Sequence, residues 1–128
     1  MPTKLTSVKL TGTLNGSGVI DVKSANVFRG IIHAVRIDYP IANVAVDLLT
    51  DGPIVQTILD LAAASTDRTV YPRTPVHDLT GTAIDLSDAE GGNTAQYEKF
   101  AIHSRLNLVC ASGTTGQEVT VHVLIEEY

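Results

Sequence analysis

The sequence predicts an all-β chain, an antiparallel β-sandwich of jelly-roll-like type with about eight strands. Three observations carry this expectation. Apolar residues recur with period two at both ends of the chain, the pattern of strands with one buried face. Clusters of Gly, Asn, Asp and Ser punctuate those runs at short intervals. The apolar content is aliphatic: hydrophobic residues make up 44% and aromatic ones 5%, with no Trp, so the core is built on Val, Ile, Leu and Ala. The 128 residues have the size of one domain. We expect residues 1–128 to form a single β-sandwich, with 1–28 as an N-terminal hairpin or arm and 65–96 as a long loop region.

Taken in order, Val8, Leu10, Gly12 and Leu14 share one face, and Lys9, Thr11 and Thr13 share the other. Asn15-Gly16-Ser17-Gly18 supplies a tight reversal, after which residues 19–22 are expected to return beside the first strand. The Asn-Gly-Ser triplet also fits a glycosylation acceptor, but it reads here as a turn. A second long strand spans 29–39 and stops at Pro40, which has no N–H for a ladder. Simple alternation puts Ile31, His33, Val35, Ile37 and Tyr39 on one of its faces. Residues 43–49 alternate again before Asp51-Gly52-Pro53.

Residues 54–61 are ambiguous, because Ile54, Ile58 and Leu61 have helical spacing and an alanine tract follows. Pro53 and the β-branched residues decide for a strand. From 65 to 96 the alternation dissolves around Pro72, Pro75 and Gly81, leaving 69–71 and 83–86 as possible short strands. Phe100, Ile102, Leu106, Leu108 and Cys110 then share one parity. After a turn at 112–117, Val119, Val121, Val123 and Ile125 alternate strictly, which predicts a long C-terminal hairpin. On its outward face this hairpin would leave Val109 and Leu124 exposed.

The net charge of −5 argues against nucleic acid as a partner, since phosphate binding needs a basic surface. No run approaches the apolar length of a membrane span, and no secretory pattern opens the chain. The charge is unevenly placed. Residues 1–36 carry Lys4, Lys9, Lys23, Arg29 and Arg36 against Asp21 alone, and the excess of acid lies in the remainder. A basic end of this kind suits docking on an acidic surface, another copy of the chain included.

Catalytic and cofactor-binding motifs are missing. His33, His77, His103 and His122 show neither His-x-His nor i,i+4 spacing, so no metal signature arises from them. His33 reads as a core-edge histidine with a hydrogen-bond partner. Cys110 is the single cysteine; it shares the parity of Leu106 and Leu108 and reads as a buried, inert thiol. Asp85, Asp88 and Glu90 before Gly91-Gly92 do not match a calcium loop, and Asp78 with Asp85 is an unremarkable carboxylate pair. No nucleophile stands beside a base, so the chain is expected not to be an enzyme, and no cofactor or metal is expected.

The most distinctive stretch is Tyr71-Pro72-Arg73-Thr74-Pro75-Val76-His77-Asp78. Its prolines fix φ and remove donors, giving a stiff extended segment. Tyr and Arg are residue types enriched at interfaces. Tyr71, Arg73 and His77, together with Lys4, Lys9 and Arg29 of the basic end, are therefore the candidate interface residues.

Arg29-Gly30-x-x-His33-Ala34-x-x-x-Asp38-Tyr39-Pro40, Val46-Asp47-Leu48, Thr50-Asp51-Gly52-Pro53 and Gln56-Thr57-Ile58-Leu59 resemble segments of small head-associated proteins of tailed bacteriophages. So do Tyr71-Pro72-Arg73, Val76-His77-Asp78, the Arg105-Leu106-Asn107-Leu108 strand and the final strand over 120–125. The resemblance covers roughly residues 29–125 and implies a capsid decoration, or cement, protein. That family implies a non-enzymatic virion protein, made in the host cytoplasm, that stabilises a capsid as a homo-oligomer, often a trimer. Its partners would be its own copies and the major capsid lattice, with neither nucleic acid nor membrane involved. The alternative expectation is a β-sandwich recognition module for a glycan or host receptor on a tail or cell surface. The absence of Trp weighs against it, because sugar sites favour aromatic platforms.

Overall fold

The computed structural model describes residues 4–75, 79–81, 85–87, 93–95 and 97–127. Every regular element among them is a strand: β1 (Lys4–Thr13), β2 (Ile20–Lys23), β3 (Phe28–Asp38), β4 (Val44–Asp51), β5 (Thr57–Ala64), β6 (Arg68–Val70), β7 (Arg73–Pro75), β8 (Asp85–Ser87), β9 (Asn93–Ala95), β10 (Tyr97–Lys99), β11 (Ala101–Ala111) and β12 (Glu118–Glu127). Eight of them make one hydrogen-bonded sheet in the order β1-β12-β3-β11-β4-β5, with β2 added to β11 and β6 to β3. All its ladders are antiparallel.

This sheet folds over on itself at β11. Ala101–Ser104 pair with the start of β3, whereas the rest of the strand pairs with β4 on one side and β2 on the other. Strands that change partners in this way turn the corners of sandwiches. One layer is β1, β12, β3 and β6; the other is β2, β11, β4 and β5. Between them lie fully buried Ile32, Val35 and Ile37 of β3, Val44, Val46 and Leu48 of β4, and Leu106 and Leu108 of β11. Val119, Val121, Val123 and Ile125 of β12 complete that core. At about 1.5–3 kcal/mol per fully buried aliphatic side chain, these alternating positions hold the layers together.

Four expectations are corrected. β2 does not return beside β1 to make an N-terminal hairpin or arm; its ladder is with β11, while β1 is an integral strand paired with β12. β11 and β12 likewise form no C-terminal hairpin, because each lies in a different layer. In both cases alternation specifies a buried face, and a buried face can be satisfied by facing a neighbour across the core as well as by pairing at its side. Gly18, at φ +70° and packed against the backbone of Gly113, lets the 14–19 and 112–117 reversals meet at one end of the molecule. Residues 65–96 are more than loop: β6 extends β3, β7 pairs with β10, and β8 pairs with β9.

The fourth correction concerns β3. Its pairing with β12 slips between Leu124 and Ile125: Leu124 faces Ala34 and Ile125 faces Ile32, so His33 has no opposite residue. This is a β-bulge, and it re-aims the side chains around it. Ile32, Val35 and Ile37 face the core, whereas Ile31 and His33 do not join them. The strand expected over 54–61 is present as β5, beginning at Thr57 and including the alanine tract.

Candidate binding surface

The outer face of the β1-β12-β3 layer carries a groove of about 710 Å³. Its apolar walls come from Leu5 on β1, Ala34 on β3, Leu124 on β12 and Tyr71 ahead of β7. Register explains how the first three meet: Leu5 lies opposite Glu126, and Leu124 lies between Ser7 and Ala34. These walls are open to solvent, with Leu5 64% and Tyr71 65% exposed, and Tyr97, opposite Pro75 on β10, is 61% exposed. A concentration of exposed apolar side chains on one sheet face is a mark of an interaction surface.

The polar rim is His33, Glu126 and Arg73. His33 Nε2 lies 2.7 Å from a Glu126 carboxylate oxygen, and Lys99 Nζ lies 3.1 Å from His33 Nδ1. An ammonium can only donate, so Nδ1 accepts from Lys99 and the Nε2–H donates to Glu126; the ring is fixed by a partner on each nitrogen. The bulge places the histidine here. Gly30 supports the same region, since a Cβ at that position would collide with the Glu126 carbonyl of β12.

β7 and β10 form a two-stranded ribbon in which Arg73 stands directly opposite Lys99. The ribbon is tied to β3 through the Ile32 N–H, which donates to the Phe100 carbonyl at 2.9 Å, and through Lys99 on His33. Arg73 Nη1 donates to the Pro72 carbonyl at 2.6 Å. Among the described residues, neither Arg73 nor Lys99 has a carboxylate partner.

Compared with known proteins, the chain matches no family model and no curated protein.

Of the six candidate interface residues, Tyr71 and Arg73 are brought together in the groove. His77 lies outside the described residues. Lys4 and Lys9 sit on β1 opposite Glu127 and His122; Arg29 is opposite His103 on β11, away from the groove. The expected basic end is not one surface, because consecutive strands go to different layers. Lys23 lies 3.7 Å from Asp51, which Arg105 also holds at 2.8 Å, and Arg36 is paired with Asp38 and Asp67. Val109 and Leu124, expected together, lie on opposite layers. Sequence reasoning missed Leu5 and Glu126 as groove residues and Lys99 as the neighbour of His33 and Arg73; no local pattern marks them, since they meet only through β1-β12 and β7-β10 pairing.

Other candidates fall into place around this. His33 has the hydrogen-bond partner expected of it, though on the outer face. Cys110 is buried, and burial, with a smaller contribution from Asp47, pushes its thiol up to about 12; it stays protonated and is a poor nucleophile. Asp88, Glu90 and Asp78 lie outside the described residues. Among the described residues no group of three or more His, Cys, Asp and Glu could hold a metal, and no helix is long and apolar enough to cross a membrane.

Proposed function

We propose that this protein is a non-enzymatic structural protein that decorates and stabilises a bacteriophage capsid as a homo-oligomer, a trimer by preference. The observation that carries the reading is the open groove of Leu5, Tyr71 and Leu124 with Arg73 at its rim, presented on a two-layer β scaffold. A rigid sheet face with exposed apolar side chains and a guanidinium that has no carboxylate partner among the described residues suits docking on another protein rather than turnover. We read the strand orders β1-β12-β3-β6 and β2-β11-β4-β5 as a jelly-roll winding, an architecture common to capsid and lectin domains, and the resemblance of residues 29–125 to phage head proteins supports the same reading. On this reading the protein needs no cofactor, acts in the virion, and binds its own copies and the capsid lattice.

Co-sedimentation with heads of the encoding phage that lack the protein tests this. Wild-type protein is expected to pellet with the heads at a fixed stoichiometry, and Tyr71→Ala or Arg73→Ala to pellet weakly while remaining folded by circular dichroism. A strictly monomeric protein that stays in the supernatant would overturn the proposal and favour a receptor-binding module.

A further inference from the structure

We infer that the groove on the β1-β12-β3 face receives an extended segment of a partner protein that carries a carboxylate beside a large apolar side chain, the carboxylate seating between Arg73 and Lys99. This deepens the proposed function by naming the chemistry of the docking partner, and it rests on that reading only for the partner's being a capsid subunit.

Two independent features converge on it. The first is electrostatic. Like charges placed directly opposite on neighbouring strands are unfavourable, and Arg73 opposite Lys99 is such a pair, on a ribbon too short to be stable alone. The one acid at the rim among the described residues, Glu126, is already engaged by His33 at 2.7 Å. An incoming carboxylate would answer both cations, and charge-assisted bonds of this kind are among the stronger polar contacts. Among the described residues Arg73 has one guanidinium nitrogen engaged, on the Pro72 carbonyl, which leaves donors for a bidentate contact.

The second feature is apolar. Leu5, Leu124 and Tyr71 wall a space large enough for a leucine- or phenylalanine-sized side chain. Exposed Tyr97 opposite Pro75 on the same ribbon extends the apolar surface past the cavity. A free small molecule would leave that extension uncovered, whereas an extended chain with side chains at alternate positions covers it. Charge complementarity and this length favour a protein segment over a small ligand.

The probe is a capped peptide, acetyl-Val-Asp-Leu-Glu-Val-amide, titrated into ¹⁵N-labelled protein, with its Asn/Gln counterpart and N-acetyl-leucine as controls. The acidic peptide is expected to shift the amide signals of Leu5, Ala34, Tyr71 and Leu124. The Asn/Gln peptide should bind at least about tenfold more weakly. Arg73→Gln should lose the preference for acid, Arg73→Lys should keep part of it, and Leu124→Ser should weaken both peptides alike. Equal binding of the two peptides, or no shifts at all, would overturn the inference. N-acetyl-leucine binding as tightly as the peptide would replace it with a small-molecule pocket. The same signals shifting on dilution of the protein alone would make the occupant a second copy. If the peptide binds as expected but the heads do not, the groove chemistry stands and the capsid reading falls. If Arg73→Gln still binds heads normally, the groove is not the capsid contact and the inference falls as stated.

Discussion

Asp47 and Asp60 face each other across β4 and β5, in a row that continues through Val109 to Asp21 on β2. Burial, and then the hydrogen bond and charge of Asp60, raise the Asp47 carboxyl above its ordinary value of 3.8. A carboxyl whose pKa rises on folding holds its proton more tightly in the folded chain. Its contribution is therefore fully present below 3.8 and is lost as the pH rises through the raised value. Asp60→Asn removes the opposing charge, so at neutral pH it should stabilise the protein by about 0.2–1 kcal/mol. The gain should vanish in acid; urea unfolding of both proteins at the two pH values measures it. Cys110 makes a second prediction at this scale: its buried, protonated thiol should not react with a thiol reagent until denaturant is added. Tyr71 and Arg73 were legible in sequence because residue type and flanking prolines are local properties. His33 was misplaced because a bulge adds one residue to one strand and leaves no mark in the alternation.

At the scale of elements, the long strands β1, β3, β4, β11 and β12 were legible from period-two runs and β5 from residue type alone, whereas the true partners of the strands expected to form hairpins were not. Val119 to Ile125 alternate whether β12 pairs with β11 or with β1 and β3, and only the second occurs. Of the short strands, β6 and β8 overlap the expected 69–71 and 83–86, whereas β7, β9 and β10 were obscured for a different reason. Three residues carry too little periodicity to register, and these strands are specified by their neighbours. Gly30 links this scale to the groove. β3 and β12 approach so closely there that a methyl group meets the Glu126 carbonyl. Gly30→Ala should cost about 1–3 kcal/mol by overpacking and displace Glu126 from His33. A lowered melting temperature together with shifted His33 ring signals would register both effects; unchanged ring signals would show that the strands part without disturbing the groove.

For the whole molecule, the two layers present different outer faces. The β2-β11-β4-β5 face carries Asp21, Asp47 and Asp60 and a Lys23-Asp51-Arg105 cluster in which one carboxylate is shared by two cations. The β1-β12-β3 face carries the apolar groove, with Arg73 and Lys99 beside it, neither paired with a carboxylate among the described residues. Fold class and a single aliphatic core followed from composition and period; the groove did not, because it is assembled from β1, β3, β12 and the β7-β10 ribbon. The proposed capsid docking would add stability to the head, since a ligand that binds only the assembled state stabilises it by mass action. The most direct measurement is the rupture temperature of phage heads lacking the protein, followed by dye access to their DNA as purified protein is added. The account predicts a rise that saturates at a fixed number of copies per head and is lost with Arg73→Ala. A rupture temperature unchanged by saturating, folded wild-type protein would contradict it.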